Sequence, residues 1–74
     1  MDIKAKVGQR IKELRLLKKI SQETLANIAE IDRTYMTSVE NGKRNISVMN
    51  LEKIIKALKT DYQTFFNHQS FKND

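Results

Sequence analysis

Cysteine, proline and tryptophan are missing from the chain, glycine occurs twice and histidine once. Without Cys there is no disulfide, no thiolate metal site and no cysteine nucleophile. That usage suits a reducing cytoplasm. The single histidine, His68, falls near the C-terminus, so no general base pairs with a nucleophile. No HExxH, Gly-rich or Ca²⁺-loop spacing occurs, so no metal, cofactor or small-molecule ligand is expected. The chain reads as a non-enzyme. No apolar run approaches the ~18 residues of a membrane span. Met1, Asp2, Ile3 and Lys4 open straight into an amphipathic pattern, with no signal-peptide core. A cytoplasmic protein is expected. No segment alternates with period two, which leaves strands without a signal.

Charge and short helices are what the chain does have. Its 74 residues allow one small domain, and a domain of that size buries only about 60% of its unfolded surface. Hydrophobic residues at 39% and charged ones at 31% fit a globular chain rather than a disordered one. The net charge of +5 is unevenly spread. Residues 1–19 hold seven bases against Asp2 and Glu13, whereas residues 20–32 hold Glu23, Glu30 and Asp32 with no base. Residues 33–59 return to +4. An anionic partner is favoured, although charge alone does not single out nucleic acid.

Helical periodicity runs throughout. Ile3, Val7, Ile11 and Leu14 make an amphipathic stripe over residues 3–18, with Leu16 off it. Gly8 within that helix costs about 1 kcal/mol relative to Ala, which suggests a close helix contact there. Ser21 is an N-cap for a short second helix, with Glu23 in its first turn and Leu25, Ile28 and Ala29 as its apolar side. Asp32 caps a third helix over 33–41, and Gly42 is suited to ending it in the left-handed conformation. Ser47 caps a fourth, whose Leu51, Ile54, Ile55 and Leu58 complete the apolar pattern. Asp61 caps a final turn or two in which Tyr62, Phe65 and Phe66 share a side. The expectation is an all-α bundle of five helices over 1–67, with a frayed tail over 68–74.

The third helix is the informative one. At ~100° per residue, Met36 and Val39 point one way. Arg33, Thr34, Thr37, Ser38 and Asn41 fill an arc of roughly 140° opposite, with neither a large apolar group nor an acid. Slim side chains with hydrogen-bonding groups behind a long fork donor suit a helix entering the DNA major groove. They also suit a short surface helix that is polar where it meets water. The surroundings favour DNA. Glu30 to Asp32 joins two helices in the helix-turn-helix manner. Gln22 at the start of the second helix could hold a phosphate, and Lys43 and Arg44 follow the third.

The segments Ile11-x-x-Leu14-Arg15, Ser21-Gln22-Glu23-x-Leu25-Ala26, Asp32 through Arg44 (DRTYMTSVENGKR), Leu51-x-x-Ile54-x-x-x-Leu58 and Phe65-Phe66 together resemble the helix-turn-helix family of phage Cro and repressor proteins, over about residues 7–66. Asp32-Arg33-Thr34-Tyr35, Val39-Glu40 and Arg44-Asn45 are similar to controller proteins of restriction–modification systems. The resemblance implies a lambda-repressor-like bundle whose second and third helices form the motif. It implies base readout by Arg33, Thr34, Thr37 and Ser38. Gln22, Tyr35, Asn41, Lys43 and Arg44 would serve as backbone or flanking contacts, and Arg15 and Glu40 as a structural ion pair. Two positions depart from the family: Glu30 stands where Gly is usual, and Ile46 where Pro is common.

After one core is packed, Val48, Met49, Tyr62, Phe65 and Phe66 leave apolar surface over, which marks an interface and most commonly a two-fold dimer. The expected function is a homodimeric transcriptional regulator on a pseudo-palindromic double-stranded DNA operator, possessing no membrane role. The alternatives are a phage or plasmid repressor and an antitoxin-type interaction module of the same fold. Basic residues on the first helix would also meet anionic lipid, but its apolar stripe is better explained as core.

Overall fold

The computed structural model describes residues 2–72, and these form five α-helices, a short 3-10 turn and no strand. The helices are α1 (Ile3–Leu17), α2 (Gln22–Ala29), α3 (Arg33–Glu40), α4 (Val48–Ala57) and α5 (Tyr62–Phe66), followed by the turn Gln69–Phe71.

One local device starts every helix. Asp2, Ser21, Asp32, Ser47 and Asp61 each accept a hydrogen bond from the backbone N–H three residues on. A cap of this kind stabilises a helix by typically ~1 kcal/mol. The Thr64 N–H on the Asp61 carboxylate, at 2.7 Å, holds that acid below its ordinary range. A second device ends the first four helices. Lys19, Glu30, Gly42 and Lys59 have φ near +60 to +70° (59, 58, 73 and 56°). The following N–H then bonds back five residues, as Ile20 does to Arg15, Ile31 to Ala26, Lys43 to Ser38 and Thr60 to Ile55. Three of those four left-handed positions lack glycine, at a cost of about 1 kcal/mol each.

The core draws on all five helices. Val7, Ile11 and Leu14 meet Leu25, Ala26 and Ala29, Met36 and Val39, and Ile54, Ile55 and Leu58, with Phe65 from α5. α1 packs on α3, and α2 on both α3 and α4. Gly8 is the point of closest approach, because a Cβ there would collide with the Val39 carbonyl oxygen. Ile46, the residue in place of proline, packs against this core and anchors its loop by burial. Arg10 ties α5 down: its Nε donates to the Phe65 carbonyl at 2.7 Å and Nη2 to the Thr64 carbonyl at 2.8 Å.

Three expectations need correction. Ile28 is 55% exposed. Leu25, Ala29 and Ala26 span an arc of roughly 100° toward the core, and Ile28 lies about 60° outside it. Phe65 is fully buried and takes no part in a surface patch. Tyr62 and Phe66, four residues apart, share the outer side of α5, while Phe65 lies about 100° away from Phe66 and faces in. The tail is also folded as far as it is described. His68 caps the last turn by accepting from the Ser70 N–H at 3.1 Å, and its Nε2 stands 3.4 Å from Glu13. Phe71 packs edge-on to Phe66 with ring centroids 5.0 Å apart. The end of the expected tail, residues 73–74, lies outside the described residues.

Candidate nucleic-acid interface

α2 and α3 are joined by Glu30, Ile31 and Asp32. Glu30 makes the turn with φ 58° and ψ 47°, and half-buried Ile31 pins it to the core. Asp32 then starts α3 by accepting from the Tyr35 N–H at 3.1 Å. Met36 and Val39 are buried beneath α3, which fixes its opposite face outward. Arg33 and Thr34 are exposed at its N-terminal end, and Thr37 and Ser38 are half-buried behind them. Asn41, Lys43 and Arg44 follow as an exposed strip. The Arg44 guanidinium lies over the Tyr35 ring, 5.2 Å from its centroid, a cation–π contact. The face presents two guanidinium groups, an ammonium, an amide and three hydroxyls, which suits polar recognition of an anionic surface.

A hydrogen-bond network underlies this face. Arg15 and Glu40 pair in bidentate fashion, Nε to Oε2 at 2.7 Å and Nη2 to Oε1 at 3.0 Å. Both residues are buried, and Arg15 Nη1 also donates to the Ile20 carbonyl. Gln22 Nε2 donates to Glu40 Oε1 at 2.9 Å, and Gln22 Oε1 accepts from the Thr37 hydroxyl at 2.8 Å. The amide expected at a phosphate is therefore turned inward onto α3, leaving the backbone N–H groups of the helix start and one amide proton. No buried side-chain polar atom among the described residues lacks a partner. Such a network is strong when complete and costly when broken.

A second face lies on α4 and α5. Val48 is 85% exposed and Met49 73%, with Tyr62 and Phe66 beside them. These four, with Leu51 and Glu52, line one shallow apolar cleft. The Tyr62 hydroxyl donates to Glu52 at 2.9 Å, which pushes its pKa up.

No pattern in the sequence marks the bonds joining Gln22 to Thr37 and Glu40, nor the Arg10 clamp on α5. Each joins residues remote in the chain whose types are ordinary.

Fold and site together are those of a helix-turn-helix domain, and the helix-turn-helix family model matches residues 11–65. The chain belongs to this family, in its branch of restriction–modification control proteins. It is 46% identical over 67 residues to the control protein C.MunI of a Mycoplasma species, covering 89% of this chain and 90% of that one. The restriction–modification controller protein C.AhdI from Aeromonas hydrophila superposes with a TM-score of 0.81 at 44% identity, over 85% of this chain and 96% of that one. The controller protein C.Esp1396I, crystallised as a tetramer on its natural 35-base-pair operator, gives 0.84 at 38% identity, over 89% and 87%.

Proposed function

We propose that this chain is a sequence-specific DNA-binding transcriptional regulator that binds a pseudo-palindromic operator as a dimer and serves as the controller of a restriction–modification system. The observation that carries this reading is the face of α3: an outward row of polar side chains, free of acids and fixed from behind by Met36, Val39 and the Glu40 network. The operator complex of C.Esp1396I supports it by kinship. In this reading α3 enters the major groove, with Arg33 placed to make two hydrogen bonds to guanine. Thr34, Thr37 and Ser38 face base edges behind it. Tyr35, Asn41, Lys43, Arg44 and the start of α2 at Gln22 hold the backbone or flanking positions. Two copies meet through Val48, Met49, Tyr62 and Phe66, setting half-sites about 10 bp apart centre to centre. The chain works by binding rather than catalysis, in the cytoplasm with the DNA. His68 supports this, being engaged by Ser70 and Glu13 far in sequence from α3.

Selection from randomised duplexes supplies an operator, and binding to it and to a scrambled duplex across a salt series provides the test. Arg33→Ala should cost about 1–3 kcal/mol on the operator and much less on scrambled DNA, while Lys43→Ala should weaken both alike and lower the salt slope by about one. An equal loss for Arg33→Ala on both duplexes would remove base reading from α3.

A further inference from the structure

Thr34, Thr37 and Ser38 carry the same functional group, yet their hydroxyls are not equivalent. Among the described residues only that of Thr37 is tied to another helix. A hydroxyl has one proton and two lone pairs. Thr37 Oγ1 lies 2.8 Å from Gln22 Oε1 and 3.1 Å from the Arg33 carbonyl oxygen, and both neighbours are acceptors. The carbonyl cannot be anything else. The orientation of the Gln22 amide is settled from beneath: the Glu40 carboxylate, already holding the Arg15 fork, accepts and does not donate. It must therefore face Nε2, at 2.9 Å, which turns Oε1 toward Thr37. Four side chains thus form one polarised chain, and the single Thr37 proton is consumed inside the protein. Only lone pairs remain for anything that approaches from outside.

We infer that Thr37 is a one-way reader of DNA, accepting hydrogen bonds and not donating them; this rests on the reading of α3 as the recognition helix. The donors in the major groove are the amino groups of adenine N6 and cytosine N4. Thr37 selects one of these. It is not satisfied by guanine O6 or N7, by thymine O4, or by a phosphate oxygen, all of which need a proton from the protein. Thr34, whose proton is not committed, serves either kind of partner. Gln22 and Glu40 are positioning residues: they touch no base but set which way Thr37 points its proton.

The test starts from duplexes selected by the full chain and from the base pair whose preference disappears in Thr37→Val, which keeps the shape and drops the hydroxyl. At that pair single groups are deleted. Purine for adenine or 2-pyrimidinone for cytosine removes the amino group; 2-aminopurine for guanine or 5-methyl-2-pyrimidinone for thymine removes the carbonyl. Amino deletion should weaken the wild-type chain about five- to tenfold more than it weakens Thr37→Val, and carbonyl deletion should weaken both equally. Gln22→Leu takes away the nearer of the two acceptors and leaves only the Arg33 carbonyl at 3.1 Å, a weaker hold on the proton. Its preference for the amino-bearing base should then fall to roughly threefold or less, with thermal stability measured alongside to exclude unfolding. Carbonyl deletion that penalises only the wild type would overturn the inference, as would a Thr37→Val that changes preference nowhere. Full preference retained in Gln22→Leu would overturn the positioning role. A wild-type chain that enriches no sequence would sink the regulator reading itself, and this inference with it.

Discussion

The outer face of α3 and the face shared by α4 and α5 are both exposed, and their helices start with the same kind of cap. They are held in opposite ways. Behind α3 lies a closed set of hydrogen bonds running from buried Arg15 to half-buried Thr37. Val48, Met49, Tyr62 and Phe66 stand on helices whose inner sides bury Ile54, Ile55 and Phe65, with one exposed hydrogen bond from Tyr62 to Glu52. The difference follows from what each face has to match. Recognition of base edges depends on donor and acceptor direction, which a hydrogen-bond network can impose. A self-complementary apolar face depends on shape and area, which rotamers on a firm core supply.

The largest effect should come from breaking the network. Glu40→Ala strands the Arg15 charge in the interior and should cost about 3–5 kcal/mol in urea unfolding. Glu52→Ala removes an exposed carboxylate, 3.8 Å from Lys56, and should cost less than about 1 kcal/mol. Equal losses would mean that the two faces are held alike. Next in size is Met49→Asp, which places a charge in the apolar cleft while touching no core residue. Sedimentation should show self-association at least about tenfold weaker, roughly 1.4 kcal/mol, with the unfolding midpoint nearly unchanged. A dimer as tight as wild type would take the α4–α5 face out of the interface. The smallest effect sharpens the comparison at the turn. Glu30→Gly relieves a left-handed residue ahead of α3 and should stabilise by about 0.5–1 kcal/mol without altering self-association. Destabilisation would show that the Glu30 side chain contributes more than its backbone conformation costs.

Much of this was legible before any tertiary contact was known. Ser21, Asp32, Ser47 and Asp61 could be named as caps because the groups they satisfy lie three residues away. Gly42 could be named as a helix stop because its φ of 73° is one that glycine adopts freely. Asp2 is the same device ahead of α1. Where the reading failed, the missing information was a neighbour. Phe65 and Phe66 are alike in sequence, and which one is buried depends on how α5 docks, with Arg10 holding its carbonyls. Ile28 looks like core until α4 covers only one side of α2. The folded turn at Gln69–Phe71 rests on neighbouring Phe66 and on Glu13, far back in the chain.

The sequence by itself determined the helices, their starts and stops, and the polar composition of α3, because these rest on interactions spanning a few residues. Only the tertiary structure decided which aromatic is core, that Gln22 turns inward, and where the Thr37 proton goes. Arg15 meets Glu40 across 25 residues and Thr37 meets Gln22 across 15. A hydrogen-bond direction set at that separation has no local cause to be read from. It exists only once α1, α2 and α3 have closed on one another.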